Sequence, residues 1–232
     1  MSNRTIMLIA DSAVLNTTVI KPFQNLTPQY SVYLHSLLLS NWIEILNELK
    51  ENSNLMILLS EQDKEYIPKK FIPEDFKEIF YSGSSIKKSE EELLKQKLSV
   101  NAKTLFLYHN SMGIKQDDFE RIFNLTQSED NSIVLLKSKS NLIIGNCVYE
   151  PETILINSLF TSNRNYKNYL NSIGSHDVFI HTLEGFLSID DFEDIKKLYI
   201  ELSKKESLSY CSQKMHESFN DLFVEYKEIL NE

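Results

Sequence analysis

The stretch Leu105-Phe-Leu-Tyr-His-Asn-Ser-Met-Gly-Ile114 places a short apolar run directly before a polar turn. The apolar run, residues 105–108, predicts a buried strand. A helix is predicted after the turn, because Asp117 and Asp118 stand at its start and apolar residues recur behind them at helical spacing. Ligands of parallel α/β sheets bind where a strand ends and a helix begins. The turn at residues 109–113 is therefore the first candidate for a ligand site.

The chemistry of this turn is unusual for a phosphate site. His109, Asn110 and Ser111 offer an imidazole, an amide and a hydroxyl, but no carboxylate. A carboxylate at such a place would hold a divalent cation against a diphosphate. The carbonyl oxygen of Asn110 can coordinate Mg²⁺ or Mn²⁺, but it brings no negative charge. A single histidine at a strand end is more often a structural hydrogen-bonding residue, which is the alternative for His109.

The composition of the whole chain is that of one folded domain. It has 232 residues, of which 42% are hydrophobic, and a net charge of −9. This charge disfavours non-specific binding to nucleic acid or anionic membranes, and no apolar run is long enough to span a bilayer. The apolar part of the N-terminus is too short for a secretory signal, so a cytoplasmic protein with Cys147 and Cys211 reduced is expected. Five glycines without a G-x-G-x-x-G or P-loop pattern argue against the usual dinucleotide and P-loop sites.

Predicted strands and helices alternate along the sequence. Strands are predicted at residues 5–10, 55–59, 79–81, 105–108, 132–137, 141–148 and 178–182. Helices are predicted at residues 30–50, 89–98, 117–125, 150–160, 166–173, 189–204 and 207–231. This alternation predicts a three-layer α/β/α domain over residues 1–206 with a mostly parallel sheet. The amphipathic C-terminal helix, residues 207–232, is expected to pack on the same domain, and a homodimer contact through its apolar stripe is the alternative.

Four segments resemble, in order, the motifs of the nucleotide-diphospho-sugar transferase (GT-A) superfamily, over about residues 5–200. Val19-Ile-Lys21 stands where the family has Lys-Thr-Arg-Leu, and His109-Asn-Ser-Met-Gly-Ile114 where it has Ser-Asp-Ser-Pro-Gly-Leu. Ser138-Lys-Ser-Asn-Leu-Ile-Ile-Gly145 stands at an Asp-Gly-Gly-Tyr-Tyr-Leu-Ile-Gly motif. Leu187-Ser-Ile-Asp-Asp-Phe-Glu-Asp-Ile195 stands at an Asp-Ile-Asp-Thr-x-x-Asp-Leu motif. Within the superfamily, the chain most resembles bacterial glycosyltransferase-like proteins related to the nucleotidyltransferases of molybdenum-cofactor synthesis.

The resemblance implies a Rossmann-like GT-A fold and transfer of a sugar or nucleotidyl group from a nucleotide donor. It implies donor binding by two phosphate-contacting lysines and two donor-orienting polar residues, Lys21, Lys139, Asn110 and Ser111. It also implies an acceptor-side catalytic base, either His181 or Asp190. Both have structural alternatives. His181 shares a strand face with Phe179, and Asp190 and Asp191 precede a helix whose N-terminus acidic residues cap and stabilise.

Every departure from the family motifs affects the chemistry of the site. Asn110 replaces the aspartate that holds the metal in the family, Lys139 and Ser140 replace two glycines, and Phe23 replaces an arginine. Lys21, Lys137 and Lys139 can supply positive charge without a metal, although solvated lysines explain the pattern as well. We therefore predict a glycosyltransferase-like protein with a degenerate metal and donor site. The alternative is a non-catalytic protein of the same fold that binds a partner.

Overall fold

The computed structural model of the protein describes residues 3–82, 98, 102–126, 132–149, 153–174 and 176–230. The strands within this part of the chain form one eight-stranded sheet: β1 (Arg4–Ile9), β2 (Asn54–Ser60), β3 (Phe76–Tyr81), β4 (Lys103–Tyr108), β5 (Ser111–Met112), β6 (Ser132–Ser138), β7 (Ile143–Tyr149) and β8 (Phe179–Ser188). Their order across the sheet is β3-β2-β1-β4-β7-β6-β8-β5.

Helices cover both faces of this sheet. The α-helices are α1 (Pro28–Asn47), α2 (Gln116–Leu125), α3 (Thr153–Thr161), α4 (Tyr166–Ile173), α5 (Phe192–Leu202), α6 (Gln213–Glu225) and α7 (Lys227–Leu230). The described residues also include two short 3₁₀ helices, Glu61–Tyr66 and Lys205–Ser209. No helix in the described ranges is long and apolar enough to cross a membrane.

Strand β1 shows how the sequence produces three layers. Ile6 and Leu8 belong to the core cluster that α1 and α2 share with one face of the sheet. Met7 and Ile9 belong to the cluster that α3 and α4 share with the other face. Successive side chains of a strand point to opposite faces, so a strand covered on both faces is a continuous apolar run. The predicted three-layer α/β/α fold is confirmed.

The sheet is mixed because β7 and the two-residue β5 run against their neighbours. β1 is parallel to β2 and β4, and β2 is parallel to β3. β7 is antiparallel to both β4 and β6, whereas β6 and β8 are parallel. Only residues 139–142 join β6 to β7, and a parallel pair would need a crossover of about a dozen residues or more. β4, β6 and β8 therefore point the same way, and their carboxyl ends lie at one edge.

Two of the predicted helices differ from those in the structure. The predicted helix at 189–204 begins only at Phe192, because β8 continues to Ser188. The predicted helix at 207–231 is interrupted: α6 begins after Ser212, whose hydroxyl caps it by accepting from the Met215 N–H, and Tyr226 separates α6 from α7. The predicted helix at 89–98 lies outside the described residues, apart from Leu98.

The apolar stripe of the C-terminal region is buried within the chain. Phe219 and Phe223 of α6 share a core cluster with Leu34 and Leu38 of α1 and with Leu198 of α5. The division into a domain over residues 1–206 and a C-terminal helix packed on it stays a prediction, and so does a homodimer through the same stripe. Cys147 and Cys211 are both buried and free.

Candidate functional site

Two of the predicted site residues meet at the carboxyl edge of the sheet. Asn110 follows β4 and Asp190 follows β8, each after one intervening residue. The Asn110 side-chain amide donates to Asp190 Oδ1 at 2.8 Å, although the two residues are 80 positions apart in the sequence. The Ile189 N–H also donates to the Asn110 carbonyl oxygen at 2.8 Å, which ties the two strand ends together.

Arg164 lies at the centre of this arrangement. Its Nη1 donates to Asn110 Oδ1 at 3.0 Å and to Asp190 Oδ1 at 2.8 Å. Its Nη2 donates to the Ser188 hydroxyl oxygen at 2.5 Å, and that hydroxyl donates in turn to the second carboxylate oxygen of Asp190. We call Asn110, Arg164, Ser188 and Asp190 the Arg164 cluster. It combines one positive and one negative charge with two neutral polar groups.

The position of Arg164 is fixed by contacts outside the cluster. The residue lies between α3 and α4 in the left-handed backbone region, with φ of 60°, directly after Asn163 with φ of 50°. Its Nε donates to the Ile143 carbonyl oxygen at 3.1 Å. The guanidinium lies over the Tyr108 ring, 4.6 Å from the ring centroid, in a cation–π contact. The arginine is thus held on three sides.

The cluster is accessible to solvent mainly through Asp190. The Arg164 side chain is 8% exposed, whereas that of Asp190 is 33% exposed. Asn110 is 6% exposed, and Ser188 is buried as well. A ligand that reaches this site would therefore meet the Asp190 carboxylate first.

The residues present do not fit the divalent cation that the fold implies. The Asn110 amide oxygen already accepts from Arg164, and Asp190 Oδ1 accepts from both Arg164 and Asn110. A permanently charged guanidinium next to these oxygens repels a dication. Within the described ranges, no group of three or more His, Cys, Asp or Glu side chains is placed to hold a metal ion.

The three other donor-binding candidates lie outside the cluster. Ser111 is fully buried, and its hydroxyl donates to the Tyr108 carbonyl oxygen at 2.5 Å, so it points into the protein. Lys139 follows β6 at the same edge, and its ammonium lies 3.6 Å from a carboxylate oxygen of Glu201 in α5. Lys21 is exposed on the connection between β1 and α1. Their roles in donor binding stay predictions.

The two candidates for the acceptor-side base are at opposite ends of β8. His181 pairs with Val134 near the start of the strand. Its ring packs edge-on against the Phe179 ring, with the two ring centroids 4.8 Å apart. The seven residue-to-residue steps from His181 to Ser188 span roughly 23 Å at about 3.3 Å per step. His181 and Asp190 therefore cannot act on one reacting atom.

The neighbouring acids at the start of α5 have different roles. Asp191 is the N-cap, and its carboxylate accepts from the Asp194 N–H at 2.9 Å. The capping interpretation is thus confirmed for Asp191. Asp190 instead turns its side chain to Arg164 and Asn110.

His109 has a structural role, as its alternative predicted. Its Nδ1 lies 3.3 Å from the Ile9 carbonyl oxygen and can only donate there, so its Nε2 accepts from His35 Nδ1 at 2.9 Å. Burial lowers the pKa of both imidazoles, that of His109 to about 3 and that of His35 well below its usual range. Both rings are therefore neutral at pH 7.

The loop after β1 binds a second buried charge, the carboxylate of Asp63. The N–H groups of Val14, Leu15 and Asn16 all donate to the Asp63 carboxylate, at 2.8–3.1 Å. Asp63 lies in the 3₁₀ helix after β2 and is 0% exposed. Successive backbone N–H groups that converge in this way form an anion-binding nest. We call this group of four residues the Asp63 nest.

Sequence reasoning did not identify Arg164 or Asp63 as site residues. Arg164 stands in a polar segment, residues 162–165, between two predicted helices, which is typical of a turn. The only available signal was an arginine in that turn. Asp63 stands in Glu61-Gln-Asp-Lys64, which looks like a solvated charged segment.

Comparison with solved structures identifies the fold. No protein-family profile and no curated protein sequence matches the chain. A protein from Desulfovibrio desulfuricans G20 assigned to the nucleotide-diphospho-sugar transferases superposes with a TM-score of 0.67 at 10% identity, over 100% of this chain and 98% of that one. Rv0371c from Mycobacterium tuberculosis H37Rv, in complex with manganese, superposes with a TM-score of 0.50 at 11% identity, over 84% and 96% of the two chains.

A third similar structure is that of a synthase. The 4-diphosphocytidyl-2C-methyl-D-erythritol synthase from Anaerococcus prevotii DSM 20548 superposes with a TM-score of 0.50 at 10% identity, over 96% of each chain. At these identities the likeness concerns the fold, and the closer relation to molybdenum-cofactor nucleotidyltransferases stays a prediction. The protein has the fold of the nucleotide-diphospho-sugar transferase superfamily, as its four motif-like segments predicted.

Proposed function

We propose that the protein binds a nucleotide sugar or a related nucleotide at the carboxyl edge of its sheet and acts as a glycosyltransferase-like protein. The observation that carries the proposal is the meeting of Asn110 with the partly exposed carboxylate of Asp190 at that edge. Open α/β sheets bind their ligands outside the carboxyl ends of the strands. The fold shared with nucleotide-diphospho-sugar transferases supports the same place.

In this proposal, Asp190 is the acceptor-side base. Its carboxylate takes the proton of the acceptor hydroxyl while the acceptor oxygen forms a bond to the sugar carbon and the bond to the donor diphosphate breaks. Arg164 and Asn110 position that carboxylate through the hydrogen bonds at 2.8 Å. Lys21 and Lys139 are the candidates for countering the charge of the donor phosphates. His181 stays the alternative prediction for this base, in place of Asp190 and not together with it, because most of β8 separates the two.

A non-catalytic protein of the same fold is the second candidate, and a specific observation favours it. Within the Arg164 cluster the charged groups satisfy one another, so Arg164 has little capacity left for a phosphate. The N–H groups of the β1 loop are likewise used by Asp63. A protein with its ion-binding groups satisfied internally can keep the fold while it binds a nucleotide without turnover, or a protein partner.

A thermal-shift panel tests the proposal. Nucleoside diphosphates, nucleoside triphosphates and nucleotide sugars are each added with Mg²⁺, with Mn²⁺ or with a chelator. A ligand at about 100 times its dissociation constant adds roughly 2.7 kcal/mol of stability, which such an assay detects. Ligands that shift the melting temperature are then assayed for donor turnover with the unchanged protein and with Asp190→Asn.

The outcomes separate the two candidates. A shift with one nucleotide sugar and turnover that Asp190→Asn abolishes support the transferase. A shift without turnover supports the non-catalytic nucleotide-binding protein. No shift across the whole panel contradicts nucleotide binding and directs the search to protein partners.

A further inference from the structure

We infer that Arg164 is an internal cation that occupies the place of a divalent metal, so that the site excludes Mg²⁺ and Mn²⁺ unless both Arg164 and Asn110 are changed. The inference concerns the same cluster as the proposed function, but it depends only on the contacts of Arg164 and its partners and not on nucleotide binding. Either can therefore fail without the other.

The guanidinium of Arg164 joins oxygen atoms from two strand ends. One nitrogen, Nη1, joins the Asn110 amide oxygen and an Asp190 carboxylate oxygen, at 3.0 and 2.8 Å. The two oxygens come from the ends of β4 and β8, which places them at the ligand-binding edge. A cation that bridges two such oxygens is what a hard metal ion would provide, and here a guanidinium provides it.

The arginine cannot leave its position without loss of other contacts. Its Nε is used by the Ile143 carbonyl oxygen, its Nη2 by Ser188, and its face by the Tyr108 ring. The side chain is 8% exposed. A metal ion would have to displace a buried and hydrogen-bonded charge, which is strongly unfavourable.

Neither single substitution makes the cluster a site for a divalent cation. Asn110→Asp adds a carboxylate that Arg164 is placed to pair with, so the guanidinium stays between the oxygens. Arg164→Met removes the guanidinium but leaves Asp190 as the single charged ligand next to a neutral amide, which binds a dication weakly.

The double substitution has a different electrostatic result. Asn110 Nδ2 lies 2.8 Å from Asp190 Oδ1, so an aspartate at position 110 places two carboxylate oxygens about this far apart. Two carboxylates at this separation cannot both be ionised without a shared proton or cation. With the guanidinium removed as well, N110D/R164M has the charge and the space for Mn²⁺.

Electron paramagnetic resonance of free Mn²⁺ during titration with protein tests the inference. We expect no Asp190-dependent loss of the free-ion signal with the unchanged protein, N110D or R164M. We expect N110D/R164M to bind Mn²⁺ at least tenfold more tightly than either single variant. The triple variant N110D/R164M/D190N is the matched control, and it should lose this binding.

Two results would overturn the inference. One is Mn²⁺ binding by the unchanged protein that Asp190→Asn abolishes. The other is a folded double variant, judged by circular dichroism, that binds no more Mn²⁺ than the single variants. If the double variant does not fold, the titration of the unchanged protein against Asp190→Asn decides, since Asp190-dependent binding contradicts an internal cation and its absence agrees with one. The nucleotide panel in chelator is a separate measurement, so it tests the proposed function independently.

Discussion

The Arg164 cluster and the Asp63 nest each hold a buried charge with polar groups of the protein, a positive charge in the cluster and a negative charge in the nest. In the cluster a guanidinium joins oxygens from two strand ends, and in the nest a carboxylate collects the N–H groups of a loop. Their accessibility differs: Asp63 is 0% exposed, whereas the Asp190 side chain of the cluster is 33% exposed. The difference agrees with a structural role for the nest and with the ligand site that we propose at the cluster.

Removal of the nest carboxylate should have the largest effect on stability. Asp63→Ala leaves the buried N–H groups of Val14, Leu15 and Asn16 without their acceptor. At about 1–3 kcal/mol for each unsatisfied group, we expect a loss of about 3 kcal/mol or more in the free energy of unfolding. Urea unfolding measures it. The exposed Asp221→Ala is the matched control, with an expected change within about 0.5 kcal/mol, and an equally small effect of Asp63→Ala would remove the distinction between the two regions.

Loss of the internal cation should have the next largest effect. Arg164→Met removes four hydrogen bonds and the contact with Tyr108, but Asp190 can be rehydrated because it is partly exposed. We expect a loss of about 2 kcal/mol, measured in the same unfolding assay. Arg164→Lys should recover only part of it, because an ammonium cannot reproduce the three directions of a guanidinium. A lysine variant as stable as the unchanged protein would show that charge alone matters here.

The buried His35–His109 pair should make stability depend on pH. His109 precedes Asn110 and donates to the Ile9 carbonyl oxygen at the end of β1. The folded pKa of each imidazole is lowered, so below about pH 6.5 the unfolded chain binds protons that the folded chain does not. Stability should therefore fall as the pH falls from about 6.5, by about 1.4 kcal/mol per pH unit for each histidine.

Urea midpoints at pH 7.5, 6.5, 5.5 and 5.0 measure this dependence, in a range in which ordinary carboxylates stay ionised. The double variant His35→Leu/His109→Leu is the control and should show a flatter profile. An equal slope in the unchanged protein and in the control would show that the pair is not the cause.

Substitution of the exposed acid should have the smallest effect on stability. Asp190→Asn keeps an oxygen for Arg164 and removes a carboxylate that is one third exposed, so we expect a loss of about 1 kcal/mol or less. Any nucleotide-dependent turnover should nevertheless disappear, because the proposed base is gone. Melting temperature and turnover are measured on the same sample. A large loss of stability would place Asp190 with Asp63 as a structural acid.

The sequence was sufficient for the layers and for part of the site. Continuous apolar runs such as Ile6 to Ile9 predicted buried strands, and the motif-like segments singled out Asn110 and Asp190, which the structure brings together. The role of Arg164 could not be predicted, because its partner Asn110 is 54 positions away in the sequence. The left-handed turn at Asn163 and Arg164, which directs the side chain inward, could not be predicted either. No local periodicity records such a contact.

The role of Asp63 could not be predicted either, because its partners are also distant in the sequence. Its partner Val14 is 49 positions away, and a backbone N–H leaves no trace in the residue type that carries it. The antiparallel β7 could have been inferred from the short connection at residues 139–142, which cannot hold a crossover.

The central claim is that the site carries its own cation, and a single Mn²⁺ titration of the unchanged protein and N110D/R164M tests it most directly. We predict that the unchanged protein and its Asp190→Asn variant leave the free-ion resonance at the same intensity. It predicts that the double variant depletes the signal and that Asp190→Asn in that background restores it. Asp190-dependent depletion by the unchanged protein would contradict the account, because Mn²⁺ would then bind where the structure has the Arg164 guanidinium.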